Sequence, residues 1–324
     1  MNILFLIGNG FDLNIGMKTQ YRDFYKFYCQ KESTSKLVKE LKDVIQSEIE
    51  DWADLEIELG KYTEKLKTEE DFEVVIDDIR EHLSQYLELQ EKEYDYSVLS
   101  QEKLFHNLCF PEEMLLKIDK DNITRYKSRW GHTAWNIDII TFNYTRVLEK
   151  ILGSEKIIGK HHSGENVVLN NLHHIHGYTD LRMVLGVNDI SQIKNESFRK
   201  NQNIIEALVK VECNKAAKHG VDELCENSIK DKNLICIFGL SLGETDKVWW
   251  ERIGKQLREE CQLILFVREK KDIPNRDDHK KIRIEREFKD KFFSKTALSD
   301  EEKERLKDKM FVAINTDMFN IRTT

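Results

Sequence analysis

The feature that most constrains this chain is an apolar run that does not alternate. Ile3 to Ile7, in MNILFLIGNGFDLNIGMKTQYRDF, stops abruptly at Gly8-Asn9-Gly10. A strand with one face in water alternates apolar and polar side chains, whereas an unbroken run suits a strand buried on both faces of a parallel sheet. Similar runs recur at Ile137 to Phe142, Leu234 to Phe238 and Leu263 to Val267, with Val167 to His176 and Met310 to Ile314 as further candidates. Helical patterns lie between them at Asp246 to Glu260 and at Ser299 to Lys307, where Ser299 is a natural cap. This alternation predicts an α/β fold built on a doubly wound, mostly parallel sheet.

Residues 33–128 break the rhythm. They are highly charged, nearly free of glycine, and carry helical spacing at Leu37, Leu41, Val44, Ile45 and Ile49. They read as a helical insertion, leaving 1–32 and 129–324 as an α/β nucleotide-binding core. Within the insertion Trp52, Leu55, Glu56 and Leu59 share a helical face; an apolar stripe with a solvated edge is the simpler reading, and a Glu56 aimed at the site is the other.

Composition narrows the class. With 40% hydrophobic and 34% charged residues and two prolines, the 324-residue chain reads as soluble, helix-rich and globular. A net charge of −8 argues against general nucleic-acid binding, and the pairs Lys270-Lys271 and Lys280-Lys281 read more simply as solvated surface. The apolar start is too short to span a bilayer and has no basic leader, so a cytoplasmic protein without membrane association is expected. Six cysteines without a CxxC pair predict reduced, structural thiols.

Four motifs end the apolar runs. Gly8-Asn9-Gly10 lets backbone approach a phosphate at the start of a helix, or is a plain strand-helix turn. Asp12 either caps that helix or meets a ribose hydroxyl. In TFNYT, Asn143 emerges on the same rim with both donor and acceptor capacity, or caps the next helix. In LHHIHG, alternation puts His174 and His176 on one face and His173 on the other. His176, beside Gly177, suits general-base work, or is a satisfied structural histidine. The HxH pair lacks a recognisable third zinc ligand, so no metal is expected. In IFGLSLGETDKVWW, Gly239, Ser241 and Gly243 allow close approach of a ligand and Asp246 opens a helix, while at least one of Trp249 and Trp250 belongs to the core.

Taken in order, GNGFDL, KTQYRDF, WADLE, FNYT, HIHG with LGVND, and FGLSLGETD resemble the AbiH-like family of bacterial abortive-infection proteins. The same order is distantly similar to the Rossmann-like nucleotide fold of sirtuins. That resemblance implies an NAD-binding, NAD-cleaving site. Gly8, Asn9 and Gly10 match the glycine loop, with Phe11 following in it, Tyr21 to Phe24 the segment closing over the ligand, Asn143 the asparagine motif, and His176, beside Gly177, the catalytic histidine. Asp12, Ser241 and Asp246 are weaker candidates around the adenosine half, and Gly239 is placed with them on the ligand. The paired cysteines of the sirtuin zinc module are absent, which argues against protein deacylation, and the bulk of Asn9 and Phe11 departs from the glycine loop.

The resulting expectation is an antiphage effector that hydrolyses NAD, with Asn143 and His176 as catalytic residues. The alternatives are a non-catalytic nucleotide sensor or regulator, and a metal-dependent nuclease or phosphohydrolase built on His174 and His176. Expected partners are a nucleotide ligand, a phage-derived trigger or protein partner and, as an open alternative, a second copy of the chain.

Overall fold

A computed structural model describes residues 1–269, 273–274 and 277–323. The Lys270-Lys271 pair lies outside these described residues. Seven strands form one sheet: β1 (Asn2–Ile7), β2 (Trp135–Thr141), β3 (Ile157–Lys160), β4 (Asn166–His174), β5 (Leu234–Phe238), β6 (Gln262–Val267) and β7 (Met310–Ile314). Their order is β3-β4-β2-β1-β5-β6-β7, with every neighbouring pair parallel except β3 and β4. The protein is therefore α/β with a mostly parallel sheet.

The missing alternation in β1 has a direct cause. Ile3, Phe5 and Ile7 join Ile137, Ile139 and Cys236 in one core, closed by Leu104, Leu108, Ile123 and Leu148 from helices and by Phe319 near the carboxyl end. Leu4 and Leu6 join Ile140, Ile235 and Leu265 in a second core, closed by Cys225, Trp249, Trp250, Ile253 and Phe292. Both faces of the central strand are covered, so every position favours an apolar side chain. Both tryptophans are buried, and Trp250 donates its indole N–H to the Gly243 carbonyl at 3.0 Å.

β3 carries no comparable signal. It is a four-residue edge strand, antiparallel to β4 with an irregular register, and Ile157 is largely exposed. Ser299 caps the helix Asp300–Leu306 in a reciprocal capping box with Glu302.

The helical cores divide differently from the bounds 33–128. A third, aromatic-rich core unites Phe24, Tyr25, Tyr28, Trp52, Leu55 and Ile79 with Leu185, Val187, Phe198, Ile204 and Leu208. Residues of the helices Gln101–Cys109 and Lys117–Lys127 pack instead on the sheet. Charge and helical spacing are alike in both groups, so the sequence does not say which core each helix joins.

Candidate functional site

The carboxyl ends of β1, β2, β4 and β5 meet at one rim, and the glycine turn after β1 is closed there by protein. Gly8 N–H donates to the Phe238 carbonyl and Gly10 N–H to the Gly239 carbonyl, both at 2.9 Å. A Cβ on Gly10 would stand 2.4 Å from Gly239 Cα, and one on Gly8 would stand 2.3 Å from Leu240 Cδ2. These glycines are needed because the β5 loop lies against them. The helix that follows, Gly10–Asn14, is a single short turn with no side-chain cap.

Asp12 points away from that helix end, towards the β2 loop. It is buried, accepting from Asn143 Nδ2 at 3.0 Å and from Thr145 Oγ1 at 2.6 Å. Burial raises its carboxyl to about 7, against the opposing pull of the hydrogen bonds from Thr145 and Asn143. A cavity of ≈ 100 Å³ opens beside it, walled by Tyr21, Phe142 and Tyr144 and by the polar side chains of Asn9, Asp12 and Asn143. Asn9 is held against Thr19, donating to its carbonyl at 2.9 Å. Asn143 is also buried, and its Oδ1 has no hydrogen-bond partner.

A second polar group surrounds His176, just past the end of β4. Its Nε2 lies 3.1 Å from Asp246 Oδ1; the same oxygen accepts from Lys210 Nζ at 2.9 Å, and Lys210 Nζ also donates to Glu56 Oε2 at 2.7 Å. Burial would raise Asp246, but the Lys210 ammonium and the bond from His176 outweigh it and hold the carboxyl well below the ordinary range. Burial, reinforced by the charge of Lys210, lowers the imidazole of His176 to about 4. His176 is therefore neutral near pH 7. An ionised Asp246 only accepts, so Nε2 carries the proton and Nδ1 keeps its lone pair. That Nδ1 is buried and has no partner.

His174 serves a different neighbourhood. Its Nδ1 lies 2.9 Å from the Asn143 carbonyl and its Nε2 lies 2.8 Å from Glu149 Oε1. The two histidines of HxH thus share no ligand position. Among the described residues, no group of three or more His, Cys, Asp and Glu side chains is arranged to hold a metal ion.

The family model for bacteriophage abortive infection AbiH matches residues 4–267. The chain belongs to the AbiH family. Membership suggests a part in abortive infection by phage. No curated protein matches the chain significantly. Among the described residues of this AbiH chain, no helix is long and apolar enough to cross a membrane.

All the site residues expected from the sequence fall inside the matched span, but the fold uses them differently. Asn9, Asp12, Tyr21 and Asn143 line the cavity, and His176 and Asp246 are joined directly. Phe11 is fully buried, packing edge-on against Phe319 with centroids 5.4 Å apart, and Phe24 lies in the aromatic core against Tyr25, Tyr28 and Tyr86. Their side chains face cores instead of the cavity. Gly239 packs on Gly10; Ser241 is exposed and its carbonyl accepts from Lys291. Gly177 makes a tight turn at φ 74°, where a Cβ would meet the Arg182 carbonyl at 1.8 Å. Thr145, Tyr144 and Lys210 were not singled out by the sequence. The first two belong to the TFNYT motif and follow Asn143 directly. Lys210 begins a helix with no local mark of function; only the fold brings it to Asp246.

Proposed function

We propose that this AbiH-family chain is an abortive-infection effector that binds NAD at the strand-end site and hydrolyses it to nicotinamide and ADP-ribose, on a sheet of the Rossmann-like, sirtuin-like kind. The observation that carries this reading is that two of the buried side-chain atoms without partners, Asn143 Oδ1 and His176 Nδ1, are acceptors at the ends of neighbouring parallel strands. Buried polar atoms are normally satisfied, and unsatisfied ones at such a rim mark where a ligand donor belongs.

The cavity lining supports the nicotinamide end of the ligand. Aromatic walls with the acceptors of Asp12 and Asn143 suit a flat, cationic ring bearing amide N–H donors. Its volume of ≈ 100 Å³ is smaller than the engineered cavity of about 150 Å³ that admits benzene, so it holds at most part of the ligand. The rest of the dinucleotide then lies outside this cavity, along the rim.

Nicotinamide leaves NAD as a neutral group from an already cationic bond, so strong acid catalysis is unnecessary and the transition state is oxocarbenium-like. Ionised Asp12 stabilises that developing charge. Asn143 orients the ribose or the attacking water. Water becomes much more acidic as its oxygen bonds to the ribose carbon, so the weakly basic Nδ1 of His176 suffices to take the proton. The overall step consumes one water and releases nicotinamide, ADP-ribose and a proton.

The test is NAD turnover by purified protein, with and without a divalent metal and phage components. The reading predicts nicotinamide and ADP-ribose in equal amounts, without a metal requirement. Nucleotide binding with no turnover under any condition favours the sensor reading, and metal-dependent cleavage of another substrate favours the phosphohydrolase.

A further inference from the structure

Glu56, Lys210, Asp246 and His176 come from four separate segments and meet in the interior. Asp54 accepts from the backbone N–H groups of Glu56 and Ile57, both at 3.2 Å, and so fixes Glu56 in the first turn of the helix Leu55–Tyr62. Lys210 is pinned by its own N–H donating to the Val187 carbonyl at 3.0 Å, and Asp246 ends the turn that precedes the helix Lys247–Gln256. Glu56 and Lys210 are both buried. A buried ion network contributes little net stability, because desolvation cancels most of the attraction, and well-packed apolar side chains often serve as well.

We propose that Glu56, Lys210 and Asp246 act as a positioning chain that holds His176 as the neutral Nε2–H tautomer and presents its Nδ1 lone pair to the ligand. The proposal rests on the reading of His176 as a ligand-facing residue, but it makes a claim about the free protein. Asp246 is the element that fixes the tautomer: its Oδ1 faces both Nε2 and the ammonium, and it stays ionised because Lys210 is there. Glu56 holds Lys210 in place from the helical side. The charged and titratable groups around the imidazole are Asp246, Lys210, Arg182 and, beyond Lys210, Glu56, with the Tyr144 ring 6.4 Å away. Lys210 and Asp246 form an ion pair beside the imidazole, Arg182 adds a second cation, and Glu56 is raised to about 7 by burial against the pull of Lys210, so a charged imidazole would add to an excess of positive charge.

The arrangement separates a positioning role from a merely structural tie. With Asp246→Asn, the side-chain oxygen turns to Lys210 and its NH₂ faces the imidazole, which favours the Nδ1–H tautomer and buries the wrong face towards the ligand. With Glu56→Gln, an oxygen acceptor for Lys210 remains, so the tautomer is kept.

The experiment is ¹⁵N NMR of histidine-labelled protein, with His176 assigned by comparison with His176→Gln. Wild type is expected to show one protonated Nε2 and one unprotonated Nδ1 from pH 5.5 to 8. Asp246→Asn is expected to lose that pattern, and Glu56→Gln to retain it. Where turnover is measurable, Asp246→Asn should lower kcat by about a hundred-fold or more with little change in KM. A wild-type His176 that is Nδ1–H or cationic at pH 7 overturns the proposal, as does a folded Asp246→Asn with the wild-type pattern. The wild-type spectrum decides the matter even if Asp246→Asn does not fold. Because the spectrum needs no substrate, a failure of the NAD reading leaves this result standing and separately readable.

Discussion

Two carboxylates at the same rim behave in opposite ways. Asp12 is buried against neutral donors only, from Asn143 and Thr145, and burial lifts it to about 7. Asp246 sits beside an ammonium and an imidazole N–H, and is held far below its ordinary value despite its own burial. Burial alone therefore does not set the charge: Asp246, with both an ammonium and an imidazole N–H on it, is held low, whereas Glu56, bonded to the same ammonium, is still raised by burial to about 7. One carboxyl can exchange a proton near neutral pH, while the other is a fixed charge held against the His176 imidazole. Paired groups pushed apart in this way are a recurrent arrangement for acid and base chemistry in one site.

The largest expected effect removes the cation. Lys210→Met leaves Glu56 and Asp246 facing each other without compensation and should destabilise the fold by about 3–5 kcal/mol in denaturant unfolding at pH 8, less at pH 5 where a carboxyl takes up a proton. A loss below about 1 kcal/mol would mean that Asp246 owes its charge to something else.

Next is Asp12→Asn, with the opposite sign. A carboxyl near 7 in the fold and 3.8 by its ordinary value gives a stability contribution that falls as pH rises through that window, and the deficit is complete above it. The amide avoids the deficit, so the variant should gain on the order of 2–4 kcal/mol at pH 8, the gain shrinking towards pH 4. His176, lowered from 6.5 to about 4, acts in the other direction, since its contribution is present above 6.5 and lost as pH falls towards 4. Glu56, raised by burial from 4.5 to about 7, acts in the same direction as Asp12, so wild-type stability should fall as pH rises from about 4.5 to 7, and Asp12→Asn should lessen that fall.

Glu56→Gln should change stability by no more than about 1 kcal/mol at pH 8, because the amide oxygen still accepts from Lys210 while the loss of attraction to the ammonium is offset by relief of a buried carboxylate raised to about 7. Ser241→Ala should change stability by less than about 0.5 kcal/mol, since the side chain is exposed.

The sequence is informative where local pattern and burial coincide. β1, β2, β5, β6 and β7 could be read directly from apolar runs, because strands covered on both faces admit little else. β3 could not, being short, marginal and exposed. The glycine turn was legible as a place of close approach, but the partner that approaches is the β5 loop at Gly239. Asp12 was expected to cap a helix or meet a ribose; its bonds run to Asn143 and Thr145, a long-range contact that no local rule contains. Glu56 had an apolar stripe beside it and nothing to announce Lys210, more than a hundred residues away. Membership of the AbiH family, in contrast, was visible in the ordered motifs themselves.

The measurement that tests the central claim most directly is nicotinamide release from NAD by the purified chain, with folded His176→Gln and Asn143→Asp measured alongside. The account predicts release by wild type and a fall of about a hundred-fold or more in each variant, with NAD binding changed far less. Wild-type rates retained in folded His176→Gln, or NAD left intact by a wild type that binds it, would contradict the account.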